Sequence, residues 1–209
     1  ATLAQIEATT KHDVKAVEYF VRSKLEAIGR KDLAELTHFA CTSEDINNLS
    51  YALTIKAAVN DVWLPRASKL VEKIASLALQ YADVPMLSRT HGQPATPTTV
   101  GKELAVFVYR LNRQLARISA AEYLGKFSGA TGTFSAHVSA APAVDWIATS
   151  KQFVESLGLT FNPLTTQIES HDWQAELYGP IAHFNRILHN LCTDVWTYIS
   201  QNYFKQIPQ

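Results

Sequence analysis

Apolar residues recur along this chain at the three- and four-residue steps of a helix face, and almost nowhere at the two-residue step of a strand. Val14, Val17, Val21, Leu25 and Ile28 make a first stripe that stops at Gly29, as a C-terminal helix cap would. Leu33, Leu36 and Phe39 predict a short second helix. Thr42-Ser43-Glu44-Asp45 reads as a capping box opening a long third helix, with Thr42 as N-cap and Asp45 three residues on. Its stripe is Ile46, Leu49, Leu53 and Ala57, continued by Leu64, Ala67, Val71, Ile74, Leu77 and Tyr81. Pro65 falls inside that run and predicts a kink, because the periodicity resumes at once.

Residues 84–97 hold Pro85, Gly92, Pro94 and Pro97 and predict an irregular loop. Thr96-Pro97 restarts the helix with proline at its favoured first position, and Val100, Leu104, Phe107, Leu111, Leu115 and Ile118 carry the stripe. A glycine- and serine-rich stretch from Gly125 to Ala141 breaks it. Pro142 to Leu157 predicts a further helix ended by Gly158, residues 159–170 a polar loop, and His171 to Phe204 a last helix kinked at Gly179-Pro180. No strand-period segment of useful length is found. The fold class expected is all-α: an elongated bundle of long kinked helices. Residues 1–40 would end an N-terminal helical domain and 41–209 form a central long-helix domain. A helix of about 40 residues is ~60 Å long, too long for a compact globule of this size, so side-by-side oligomerisation is expected.

Charge narrows the function classes. Lys plus Arg is 19 and Asp plus Glu is 19, a formal net charge of 0, which removes the basic footprint of a nucleic-acid or membrane-surface binder. The charged share is 18%, under the usual ~25%, as expected if other subunits cover much of the surface. Cys41 and Cys192 are the only cysteines, too few for a disulfide framework and not in a C-x-x-C pair; a reducing, cytoplasmic setting is expected. The longest uncharged run, Phe127 to Val144, is broken by Gly129, Gly132 and Pro142 and predicts no membrane span. The chain starts at Ala1 with no secretion signal and no initiator Met, as a trimmed chain would.

Most histidines read as structural. His183 and His189 lie six apart and share no helix face, and Glu35-Leu36-Thr37-His38 is a single E-x-x-H where a di-iron bundle needs two, so no metal is expected. His137 and His171 are given no role. Ser88-Arg89-Thr90-His91-Gly92-Gln93-Pro94-Ala95-Thr96-Pro97 stands apart. It places a titratable base, a guanidinium, hydroxyls and an amide between two rigid helices, where preorganised catalytic groups are expected. By composition alone, a tight helix connection with an incidental histidine fits it as well.

That segment, with Gly101-Lys102-Glu103 after it, resembles the second conserved region of the adenylosuccinate lyases of bacterial type, in the fumarase/aspartase superfamily. The segment Phe39-Ala40-Cys41-Thr42-Ser43-Glu44-Asp45-Ile46-Asn47-Asn48 resembles the family's first conserved region. Lys11-His12-Asp13-Val14 resembles its substrate-binding H-D segment, with Lys11 where bacterial relatives often have Asn. Thr165-Thr166-Gln167-Ile168-Glu169 is similar to a further family stretch. Fumarases and argininosuccinate lyases are similar too but read T-H-L-Q where this chain has Thr90-His91-Gly92-Gln93.

The resemblance implies elimination of fumarate from adenylosuccinate, giving AMP, and from the succinylated imidazole carboxamide ribotide. It makes His91 the general acid, supported by Arg89, Thr90 and Gln93, and Lys11, His12, Asp13, Thr42, Ser43 and Gln167 substrate-binding. It implies a nucleotide substrate, no metal or organic cofactor, and a homotetramer whose sites are shared between subunits. The family's S-S-x-M-P-x-K-x-N-P region, with its general-base serine, would follow Phe204-Lys205-Gln206-Ile207-Pro208-Gln209, and flanking domains would lie beyond both ends. This chain alone is therefore expected to be inactive. The alternatives are another lyase of the superfamily or a non-catalytic helical assembly module.

Overall fold

Eight α-helices and two small sheets make up the computed structural model, which describes residues 2–208. The expected domain limits at 1 and 209 thus fall on residues outside the described ones. The chain forms two compact units. One takes the chain as far as Lys56 together with Glu122–His171; the other takes Ala57–Ala121 and the chain from Asp172 onward.

The first unit opens with α1 (Leu3–Thr10), which no stripe announced, and α2 (Asp13–Ala27). Gly29 follows at φ 76° and ends the helix as expected. The second stripe forms a 3₁₀ helix, Lys31–His38, and α3 spans Ser43–Ala57. Leu124–Gly125 (β3) pairs in parallel with Thr160–Phe161 (β4), and the intervening chain holds α6 (Ser135–Ala140) and α7 (Trp146–Ser156). The helix expected from Pro142 thus begins later, where Asp145 caps α7 by accepting from Ala148 N at 3.0 Å. Buried Leu49, Ala52, Tyr123, Phe134, Val154 and Leu159 form the apolar interior of this unit.

In the second unit, α4 (Leu64–Gln80), α5 (Val100–Ser119) and α8 (Asp172–Ser200) pack round Ala67, Val71, Ile74, Phe107, Leu111, Phe184 and Ile187. Ala67, Val71, Ile74, Phe107 and Leu111 belong to the predicted stripes. Pro65 leaves the helix intact, and Ala58–Trp63 just before it forms a π-helical turn. Without an N–H at Pro65 the carbonyl four residues back has no regular partner, and widening the preceding turn accommodates that. Pro180 lies inside α8.

The segment between α4 and α5 corrects the expectation of a loop. Pro85–Thr90 (β1) and Gln93–Thr99 (β2) form an antiparallel hairpin, so the chain does contain strands. The prolines are tolerated because a two-stranded ribbon needs only one hydrogen-bonding edge per strand. α5 accordingly starts at Val100, with Thr99 rather than Thr96 as its N-cap; Thr99 Oγ1 accepts from Lys102 N at 3.1 Å. Gly101 N donates to Tyr81 O at 2.9 Å, and a Cβ at Gly101 would stand 2.3 Å from Ala78 O. Only glycine lets α5 begin this close to the end of α4, which sets the base of the hairpin.

Candidate functional site

His91 and Gly92 form the two-residue turn of the hairpin, with φ of 49° and 76°, and Thr90 pairs with Gln93. Two left-handed residues match the twist of a tight hairpin, and glycine supplies the second without strain. The turn presents His91 exposed at the tip, beside exposed Thr90 and Gln93. Arg89 secures it from below: Nη1 donates to Gly92 O at 3.1 Å and Nε to Tyr203 Oη at 3.0 Å.

In the first unit, three segments far apart in sequence meet at the start of α3. His12 caps α2 by accepting from Lys15 N at its Nδ1 (3.3 Å). In the neutral ring that puts the proton on Nε2, which lies 3.4 Å from Ser43 Oγ. The cap of α2 is thus His12; Asp13 Oδ1 accepts from its neighbour Val14 N at 2.8 Å. Exposed Lys11 adopts a left-handed φ of 53° between α1 and α2, which turns the chain so that His12 points back at Ser43. Gln167 Nε2 donates to Thr42 Oγ1 at 3.1 Å.

The capping box is half formed. Thr42 N donates to Asp45 Oδ2 at 2.9 Å, while the Thr42 hydroxyl is engaged by Gln167. A helix N-terminus with two hydroxyls, an imidazole and an amide beside it is a place to hold a carboxylate. The structure therefore brings His12, Thr42, Ser43 and Gln167 together, with Lys11 and Asp13 adjoining in sequence. Arg89, Thr90, His91 and Gln93 lie together on the hairpin of the other unit.

Sequence reasoning missed what supports this cluster. His171, at φ 60°, has Nε2 3.4 Å from Glu44 Oε1 and Nδ1 3.4 Å from Glu169 Oε2, tying the Gln167 loop to the first turn of α3. Lys126 and Asp45, both wholly buried, form an ion pair at 2.7 Å. The sequence carried no signal for this pair, because a lysine heading an uncharged run reads as an exposed boundary residue. Burial pushes the nearby Cys41 thiol up to about 12, with the Asp45 carboxylate adding to the shift, so this cysteine is no nucleophile. Among the described residues no three His, Cys, Asp or Glu side chains converge as metal ligands would, and no helix is long and apolar enough to cross a membrane.

The helical fold has counterparts among solved structures. The 3-carboxy-cis,cis-muconate lactonizing enzyme from Pseudomonas putida matches over 94% of this chain and 44% of its own, with a TM-score of 0.74 and 24% identity. The β-carboxy-cis,cis-muconate cycloisomerase from Acinetobacter calcoaceticus gives 0.75 at 22% identity, with the same coverage. At those identities the likeness speaks for the fold alone. The family model described as lyase matches residues 1–208, and the chain belongs to that family, within the fumarase/aspartase superfamily. Among curated relatives, adenylosuccinate lyase of Escherichia coli K12 is 54% identical over 207 residues, 99% of this chain and 45% of that protein. Those of Haemophilus influenzae and Vibrio cholerae are 51% and 52% identical, over 99% and 98% of this chain and 45% of each relative. The chain spans about half the length of the curated relatives it matches.

Proposed function

We propose that the full-length protein containing this chain eliminates fumarate from adenylosuccinate, releasing AMP, and from the succinylated imidazole carboxamide ribotide. The observation that carries the reading is the 54% identity to an adenylosuccinate lyase across 99% of the chain. The meeting of His12, Thr42, Ser43 and Gln167 supports it, since the same segments carried the family resemblance.

Elimination removes a proton from the succinyl β-carbon, spreads the electron pair onto the adjoining carboxylate, and then breaks the C–N bond as the departing nitrogen takes a proton. Imidazole suits the last step, because its ordinary pKa near ~6.5 lets it hold and give a proton at neutral pH. In this reading His91 is that acid. Thr42, Ser43 and Gln167 bind the carboxylate on which charge develops, and Lys11, His12 and Asp13 orient the nucleotide. Arg89, Thr90 and Gln93 shape the turn that carries His91. No metal or organic cofactor takes part.

The same reading makes the protein a cytoplasmic homotetramer in which His91 and the Thr42-Ser43 segment of one site come from different subunits. Residues 1–40 would then close an N-terminal domain, and 41–209 would be part of a central bundle domain of a longer subunit. The general base lies outside this chain, so the 209 residues alone turn nothing over.

The test is absorbance loss by purified full-length protein on adenylosuccinate and, separately, on argininosuccinate. Turnover of the first supports the reading. Turnover of the second alone overturns it in favour of another superfamily lyase, and inertness towards both in favour of an assembly module.

A further inference from the structure

The ion pair of Asp45 and Lys126 has no exposure at all, and the carboxylate's polar capacity is fully used. Asp45 Oδ1 receives Lys126 Nζ at 2.7 Å and Ser128 N at 3.0 Å; Oδ2 receives Thr42 N at 2.9 Å and Gly129 N at 3.1 Å. These four donors fill the carboxylate's roughly four lone-pair positions. Lys126 Nζ also donates to Gly129 O at 3.2 Å. Asn48, one turn on along α3, clasps the backbone of Lys126 itself, accepting from its N at 2.8 Å and donating to its O at 3.0 Å. The first turn of α3 and the segment 126–129 are thereby sewn into one piece.

That piece reaches the candidate site by a closed circuit. Ser128 Oγ lies 3.3 Å from Thr165 Oγ1, two residues before Gln167. Gln167 donates to Thr42 Oγ1, and Thr42 N returns to Asp45. Asp45 thus fixes both the hydroxyl that Gln167 engages and, through Ser128, the loop that carries Gln167.

Stability does not explain such a pair. Burying two charges carries a desolvation cost, and apolar groups of the same volume are often as stable or more so. An apolar side chain cannot, however, collect N–H groups from two separate segments at fixed angles. Charge adds a second requirement. A lone carboxylate one turn from the start of α3 would repel an anionic substrate arriving there, and Lys126 cancels it.

Resting on the reading of this cluster as the substrate-carboxylate site, we propose that Asp45 and Lys126 are positioning residues. They hold Thr42, Ser43 and Gln167 in register and keep the approach to them electrically neutral.

The test compares the full-length parent with Lys126→Met and with the double variant Asp45→Asn/Lys126→Met. The single variant leaves a buried carboxylate uncompensated and can fail to fold. The double variant is neutral and nearly isosteric, so it keeps the question open to measurement. Its amide nitrogen cannot accept as the oxygen it replaces does, so the variant should melt somewhat below the parent but cooperatively, and when folded show a KM for adenylosuccinate raised about tenfold, the effect of roughly one lost hydrogen bond. Peptides covering residues 40–48 and 163–170 should exchange backbone hydrogens faster than in the parent. A purely structural role would lower kcat through the folded fraction and leave KM alone. Parent-like KM and parent-like exchange in a double variant that melts cooperatively would overturn the proposal. If the parent itself does not cleave adenylosuccinate, the substrate reading fails, and the exchange measurement still decides whether the pair positions these segments.

Discussion

The guanidinium of Arg89 both donates to Tyr203 Oη at 3.0 Å and lies 5.8 Å from the centre of its ring, joining the tip end of the His91 hairpin to the chain beyond α8. The same guanidinium holds Gly92 O, so the two contacts together orient the turn. Tyr203→Phe keeps the ring and removes the hydrogen bond. In the full-length protein it should lower kcat several-fold, about the worth of one such bond, while Arg89→Ala, which removes both contacts and the tie to Gly92, should cost more. Steady-state kinetics on both variants checks the order.

His91→Gln should lower kcat on adenylosuccinate by about 10²–10⁴, the range for a positioned general acid. Because His91 is exposed at a turn and not packed in an interior, its melting temperature should stay with the parent's. A variant that unfolds, or one with near-normal kcat, would return His91 to an incidental turn residue.

The proposed sharing of sites between subunits carries a numerical expectation. Full-length His91→Gln and Ser43→Ala variants should each be weak, yet regain activity once denatured together and refolded in equal amounts. If the two residues of a site come from different chains drawn at random, about a quarter of sites are intact. Activity that stays at the level of the separate variants would mean that both residues serve from one chain.

His137 lies among Phe127, Phe134 and Trp146, is 1% exposed, and has neither ring nitrogen hydrogen-bonded. Burial holds its pKa below the ordinary value; Asp45 pulls it up and Lys126 presses it down. The unfolded chain, with a histidine near ~6.5, therefore binds more protons than the folded one as pH drops below that value. Stability from this group is full above ~6.5 and declines as pH falls towards the lower folded value. Thermal melts of the full-length protein between pH 7.5 and 5.5, buffer values chosen to straddle ~6.5, should show a decline that His137→Leu makes shallower.

Helices were legible where one apolar face decides the matter. Leu111, Ile74 and Phe107 lie in predicted stripes and all are buried in the core. The hairpin was not, because its prolines and glycine are the usual marks of irregular chain, and nothing local says that Arg89 will pair with Pro94. Nor does the periodicity of a helix report a π-helical turn. At the site, the segments around His12, Thr42 and Gln167 could be picked out by resemblance, but the support beneath Thr42 and Gln167 includes a lysine 84 residues beyond Thr42, buried in a stretch that reads only as a helix breaker. Long-range pairing of a single cation with a single carboxylate leaves no pattern in either neighbourhood.

The prolines that disguise the hairpin also protect it. The ribbon has two strands and no third among the described residues, so each strand keeps one open edge. Open edges are templates on which another chain can add a strand and begin to aggregate. Pro85, Pro94 and Pro97 carry no N–H and cannot complete such a ladder. A turn that must stay exposed to present His91 is thereby made a poor seed for aggregation, and replacing those prolines would put solubility at risk before it touched the chemistry.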